Sequence, residues 1–455
     1  MNQFQLYTEH TFAYRAHERV WENASPMTAA DIRALDAYCR ERFVELVPNQ
    51  NSFGHFDRWL AHDEYRHLAE APEGAFYFGA HRPPATLCPS DPGSIALVRE
   101  LHAELLSNFT SRLFNVGCDE TMELGMGRSK EEAERCGKER VYLDFLRKIH
   151  ASVVANGSTM MFWGDIILHR PELISDLPRP IIALSWGYEA NHPFAEEGAK
   201  FAAAGIPFYV CPGTSAWNSI GGRTENMKMN LLRAAENGLA HGAIGFLNTD
   251  WGDCGHWQQL PVSLPGYAYG AAVSWSVAAN RDLDLVAVLD MHAFGDASGR
   301  CGRVAVALGD LERFTLGPRR PNGTILHRVL AWPDGEVKDG ILENLIDMKG
   351  VEAASTHVAE QQALLRKALP TDQGGRLVAD ELACTIEHLK LALCVAGEKL
   401  RSGWSVLAKL PVAARRRIAR KLAAFLPEYR RLWLLRNRPG GLRESLGHFQ
   451  RLQGK

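Results

Sequence analysis

Short apolar runs that end in polar or aromatic residues alternate, along the first half of this chain, with longer segments of helical period. No other feature constrains the fold as much, because strands separated by helices cannot pair as hairpins and must lie parallel. Seven runs qualify, at residues 4–7, 43–47, 113–116, 160–163, 181–186, 208–211 and 243–247. Between them stand helix candidates with recognisable starts: Thr28 ahead of AADIRALDAYCRERF, Asp91-Pro92 ahead of GSIALVRELHAELL, Ser129 ahead of KEEAERC and Thr224 ahead of ENMKMNLLRAAENG. The last closes on Asn237-Gly238, which reads as a C-cap.

Seven parallel strands with intervening helices predict an α/β chain with a TIM (β/α)8-type barrel over residues 1–280, one strand short of closure at its first strand. From residue 281 the pattern turns helical, predicting an α-helical C-terminal domain over 281–455. An open barrel exposes unpaired backbone groups and apolar core, so a second copy of the chain or a C-terminal helix is expected over the gap. A formal net charge of −2 gives no global field that would gather nucleic acid or a membrane surface. Residues 401–455 carry fourteen Lys or Arg against two Glu, which reads as a solvated helix face or a partner-facing surface. Nine cysteines without a CxxC pair read as free thiols. With no apolar targeting segment or membrane-length run, the expectation is a cytoplasmic protein acting on small molecules.

Chemistry-bearing residues concentrate where apolar runs end, the face on which a parallel barrel keeps its active site. Residues 113–120, LFNVGCDE, end in Gly and then two adjacent carboxylates, Asp119 and Glu120. Close like charges push two pKa values apart, so that one acid holds a proton while its neighbour stays ionised. Two acids after a strand also serve as caps for the next segment. Further strand ends carry Trp163-Gly164-Asp165, Ser185-Trp186-Gly187 and Asp250-Trp251-Gly252-Asp253. Three tryptophans at matched heights would line an aromatic cup of the kind on which sugar faces and acetamido methyls stack.

With these motifs in hand, the sequence resembles the family 20 glycoside hydrolases, the β-N-acetylhexosaminidases, whose signature strand ends His-x-Gly-Gly-Asp-Glu. Here that segment stands as Asn115-Val116-Gly117-Cys118-Asp119-Glu120. Residues 48–55, PNQNSFGH, are similar to a second family segment, which makes His55 the histidine beside the acid pair and puts Asn51 where the family has an acid. The resemblance implies an acetamido pocket of Trp163, Trp186 and Trp251, with Asp253 as the carboxylate that holds the sugar's terminal hydroxyls. For the donor to the acetamido oxygen it offers Trp217 and, less well aligned, Tyr209.

The implied activity is exo-hydrolysis of terminal β-linked N-acetylglucosamine or N-acetylgalactosamine from an amino-sugar glycoside or oligosaccharide, without metal or organic cofactor. In this family the substrate's own acetamido oxygen attacks the anomeric carbon, Glu120 acts as general acid and then base, and Asp119 orients the acetamido N–H. Two other readings remain: a sugar-binding protein on the same fold that has lost turnover, and a conventional retaining glycosidase with a carboxylate nucleophile such as Asp253.

Overall fold

Parallel strands form on all seven apolar runs, and their pairing follows the order of the chain. The protein is described from a computed structural model covering residues 1–315, 321–333, 346–404 and 406–452. Strand β1 (Gln3–Leu6) pairs in parallel with β2 (Glu45–Pro48). A small antiparallel hairpin, β3 (Ala75–Tyr77) and β4 (Ala80–Arg82), interrupts the pattern. Then β5 (Leu113–Asn115), β6 (Thr159–Trp163), β7 (Ile181–Trp186), β8 (Phe208–Cys211) and β9 (Gly245–Phe246) form one parallel sheet in sequence order. A parallel bridge from Asn49 to Asn115 links the two parts, with the Gln50 and Ser52 N–H groups each donating at 3.0 Å to the carbonyls of Asn115 and Val116. The result is an α/β unit with a partial-barrel sheet. Among the described residues no strand pairs with the outer edge of β1 or β9.

The strands were legible because parallel strands covered on both faces become continuously apolar. β6 and β7 are buried along almost their whole length. Helix starts follow the capping residues. Thr28 and Asp31 form a reciprocal capping box ahead of the helix Ala29–Arg40. Asp91 caps Pro92–Leu106 by accepting from the Gly93 N–H. Ser129 precedes its helix without capping it, because its hydroxyl donates instead to Glu70 at 2.7 Å.

The C-cap expected at Asn237-Gly238 is corrected by the structure. The helix runs on, Thr224–His241, and Gly242 at φ 73° ends it. Gly238 serves packing: a Cβ there would stand 3.0 Å from a methyl of Val210 on β8, so the glycine lets helix and sheet approach. The hairpin went unforeseen, although its turn at Phe78-Gly79, φ 50° and 73°, has the twist that two-residue hairpin loops require.

By packing, the chain divides into two interleaved units. The first comprises Met1–Trp186, Pro193–Cys211 and Asn237–Phe246, and so contains every strand. The second comprises Gly187–His192, Pro212–Glu236 and Leu247–Lys455. The change to an all-helical pattern near residue 280 lies inside the second unit. There the helices Ile325–Ala331, Gln373–Arg401, Val412–Arg436 and Leu442–Arg451 contribute rings to an aromatic core in which Trp257 stacks on Phe449, with centroids 5.0 Å apart. On Val412–Arg436 the stripe Ala414, Ile418, Leu422, Phe425 and Tyr429 is buried, while Arg415, Arg416, Arg417, Arg420 and Lys421 are exposed, so most of the basic charge lies on a solvated face. No helix among the described residues is long and apolar enough to cross a membrane.

Candidate active site

The turn that follows β5 carries both acids on an unusual backbone. Gly117, Cys118 and Glu120 all have positive φ, at 65°, 71° and 49°. For a side-chain-bearing residue that region costs on the order of 1 kcal/mol or more, so neighbouring contacts must hold it in place. The Asn115 side-chain oxygen accepts from the Gly117 N–H at 3.0 Å, and the Trp163 N–H donates to the Gly117 carbonyl at 3.0 Å. Two glycines permit the close fit. A Cβ on Gly54 would run into the carbonyl oxygen of Asp119, and one on Gly117 would run into the side-chain oxygen of Asn51.

This backbone presents the two acids differently. The Asp119 side chain is 13% exposed and that of Glu120 44%. His55 Nε2 lies 3.3 Å from Asp119 Oδ2 and 3.7 Å from Glu120 Oε2, while its Nδ1 lies 3.7 Å from Glu9 Oε1. Burial opposes a charge on His55, but the carboxylates of Asp119, Glu9 and Glu120 outweigh it and push its pKa up to about 10. His55 is therefore a cation at neutral pH, paired chiefly with Asp119. The carboxylate on its far side is Glu9, raised by burial and held down by His55. Glu9 accepts from the Tyr7 hydroxyl at 2.9 Å, and that hydroxyl accepts from Asn51 Nδ2 at 2.7 Å. Where the family segment has an acid this chain has Asn51, and the carboxylate reaches His55 from the loop after β1 instead.

A third carboxyl group lies beside the pair. Asp165, two residues beyond the end of β6, accepts from the Glu120 N–H at 3.4 Å and from the Trp186 side chain. Burial and then the charge of Asp119 push it up to about 8. Trp163 is 3% exposed at the end of β6, and Trp186 is half-buried at the end of β7. Tyr209 stands elsewhere in this unit. It sits two residues before the end of β8, hydrogen-bonds the Gln3 side chain and covers Gly245.

The remaining candidates cluster in the second unit. Trp251 Nε1 donates to the Tyr188 hydroxyl at 2.9 Å, and the Tyr188 ring meets Trp217 edge-on with centroids 4.9 Å apart. Trp217 is 2% exposed and its indole N–H is buried without a hydrogen-bond partner among the described residues. Asn218 donates to Asp253 Oδ2 at 3.1 Å. Among the described residues no group of three or more His, Cys, Asp or Glu is arranged to hold a metal ion.

The model of the glycosyl hydrolase family 20 catalytic domain matches residues 7–236, half of the chain. The chain belongs to that family. Two curated relatives are similar over 285 residues: Hexosaminidase D of Bos taurus at 24% identity, covering 57% of this chain and 79% of that protein, and Hexosaminidase D of Homo sapiens at 23%, covering 57% and 56%. The chain thus spans little more than half the length of the human relative. Among solved structures, the family 20 chitobiase of Flavobacterium johnsoniae is similar at 16% identity and TM-score 0.47, over 96% of this chain and 73% of that one.

Glu9, Asp165 and Tyr188 each touch a candidate residue, although none of the three was itself given a role from the sequence. Each had a signal of the same kind as the acid pair: Glu9 follows β1 by three residues, Asp165 follows β6 by two and Tyr188 follows β7 by two. Weighing every polar residue within three positions of a strand end, and not the tryptophans and the acid pair alone, would have found them.

Proposed function

We propose that this chain is an exo-acting β-N-acetylhexosaminidase on a (β/α)8-type barrel, removing terminal β-linked N-acetylglucosamine or N-acetylgalactosamine with substrate assistance and net retention. The observation that carries the reading is the division of labour at the end of β5. Asp119 is recessed and paired with the His55 cation, whereas Glu120 is the more exposed of the two, as a donor to a departing oxygen has to be. In this reading Glu120 protonates the departing oxygen and later activates water, and Asp119 orients the acetamido N–H as charge develops on it. Trp163 and Trp186 are proposed to face the acetamido group; Trp251, Asp253 and Trp217 keep their proposed substrate-binding roles on the family resemblance and on their own clustering. The mechanism asks for no cofactor.

The direct test compares an aryl β-N-acetylglucosaminide with the aryl β-glucoside that lacks the acetamido group. Release of the aryl alcohol from the first alone is expected. Comparable release from both would favour a carboxylate nucleophile, and saturable binding without release from either would leave a sugar-binding protein. We extend the proposal to a reducing, cytoplasmic setting, supported by the eight cysteines with described side chains, all free thiols. A homodimer covering the open sheet edge also belongs to this proposal, since Phe4 on β1 and Ile244 beside β9 are 40% and 60% exposed. Light scattering should return twice the chain mass, and a monomer at micromolar concentration would remove that part.

A further inference from the structure

We propose that Asp165 is a positioning residue, a carboxylic acid that holds its proton beside Asp119, steadies that carboxylate, and sets the alkaline limit of the reaction. This inference rests on the functional reading above and deepens it.

The geometry leaves Asp165 with too little compensation for a charge. Its Oδ2 accepts from the Glu120 N–H at 3.4 Å, and its Oδ1 is buried without a hydrogen-bond partner among the described residues. Asp119 Oδ1 is buried and unpartnered in the same way. The cation of the cluster, His55, pairs with Asp119, Glu120 and Glu9. The titratable groups acting on Asp165 are Asp119, Glu120 and Cys118 on the turn after β5, and Tyr142 on the helix Lys138–Ala155; Trp186 on β7 contributes a donor. Cys118 and Tyr142 are themselves held neutral by burial, so neither offsets a second anion. One buried negative charge matched by one positive charge is tolerable, and a second beside it is not.

The sign follows from the direction of the shift. Burial and Asp119 raise Asp165 to about 8, so the folded protein keeps a proton there between roughly pH 4 and 8 that an unfolded aspartate would release. Below that limit Asp165 is a neutral donor beside Asp119. Above it, two neighbouring carboxylates repel each other, which displaces the group proposed to orient the acetamido N–H.

The experiment follows kcat/KM from pH 5 to 10 in wild type and Asp165→Asn. The substrate is an aryl β-N-acetylglucosaminide whose leaving group departs without acid help, which takes the proton of Glu120 out of the profile. Wild type should fall about tenfold between pH 6 and pH 9, as one proton lost near pH 8 requires. Asp165→Asn keeps a neutral donor at every pH and should fall less than twofold. A limb unmoved by the substitution, or a loss at all pH values as deep as that of Asp119→Asn in folded protein, overturns the proposal. An infrared titration of wild type labelled with 13C-carboxyl aspartate gives a second readout independent of turnover. An aspartic-acid C=O band that survives above pH 6 and vanishes near pH 8 is expected, and its absence overturns the proposal even if the variant fails to fold. If wild type hydrolyses no N-acetylhexosaminide, the functional reading fails, while loss of that band in Asp165→Asn but not in wild type still decides whether Asp165 holds its proton, since burial raises Asp250, Asp290 and Asp310 as well.

Discussion

Glu120→Gln is expected to lower kcat/KM by about 10²- to 10⁴-fold on glycosides with poor leaving groups, the usual size of a general-acid contribution. The substitution keeps the shape of the side chain and its half-exposed place on the strained turn, so folding should be unaffected. On the proposed mechanism, what it removes is the proton that the departing oxygen needs. Aryl glycosides with good leaving groups should therefore lose far less in the glycosidic cleavage step, and the ratio between the two substrate classes is the quantity to measure. An equal loss on both would mean that Glu120 supports the site without donating a proton. Small nucleophiles such as azide should restore turnover of the good substrates, since the variant also lacks the base that activates water.

Asp119→Asn should have the second largest effect, about 10²- to 10³-fold in kcat, because on the proposed mechanism it removes the carboxylate that faces the charge developing on the acetamido nitrogen. The effect should appear equally on good and poor leaving groups, unlike that of Glu120→Gln, since in both the acetamido oxygen bonds to the anomeric carbon as the leaving group departs from it. A stable thiazoline analogue of the cyclised intermediate offers an independent measure. It should bind wild type far more tightly than N-acetylglucosamine does, and Asp119→Asn should lose most of that preference. The His55 cation 3.3 Å from Asp119 would then face an amide in place of a carboxylate, so its own titration should move down, visible in the ring-proton NMR shifts. Equal affinity for the thiazoline and for the simple sugar would end the substrate-assisted reading.

The strands and the acid pair were legible in the sequence for the same physical reason. A parallel strand covered by helices on both faces has to be short and apolar, and the polar residues at its end mark where the cover stops. That rule located β5 and, with it, Asp119 and Glu120. It went unused for Glu9, because the histidine segment suggested looking for a carboxylate at Asn51, within the same loop. The partner of His55 arrives through space from the end of β1, and pairing between separate loops leaves no spacing in the chain to read. Asp165 was visible as part of a tryptophan motif, but its effect depends on burial and on the nearness of Asp119, which only folding supplies. Gly238 failed differently. A glycine after Asn near the end of a helical pattern has two uses, termination or close packing, and only the methyl of Val210 across the gap distinguishes them.

The collision that forbids a side chain at Gly54 also affects how this site can be studied. Alanine scanning finds important residues by cutting side chains back, and it assumes that the shorter residue takes away a contact without adding one. At Gly54 and Gly117 the native residue is already shorter than the probe, and its role is to be empty space beside the Asp119 carbonyl and the Asn51 side chain. Alanine there would press on the backbone that carries the acids. A map built only from truncations would therefore credit the carboxylates and tryptophans with the whole site and misread the two glycines as mere fold defects, although the placement of Asp119 depends on them as directly as on any hydrogen bond.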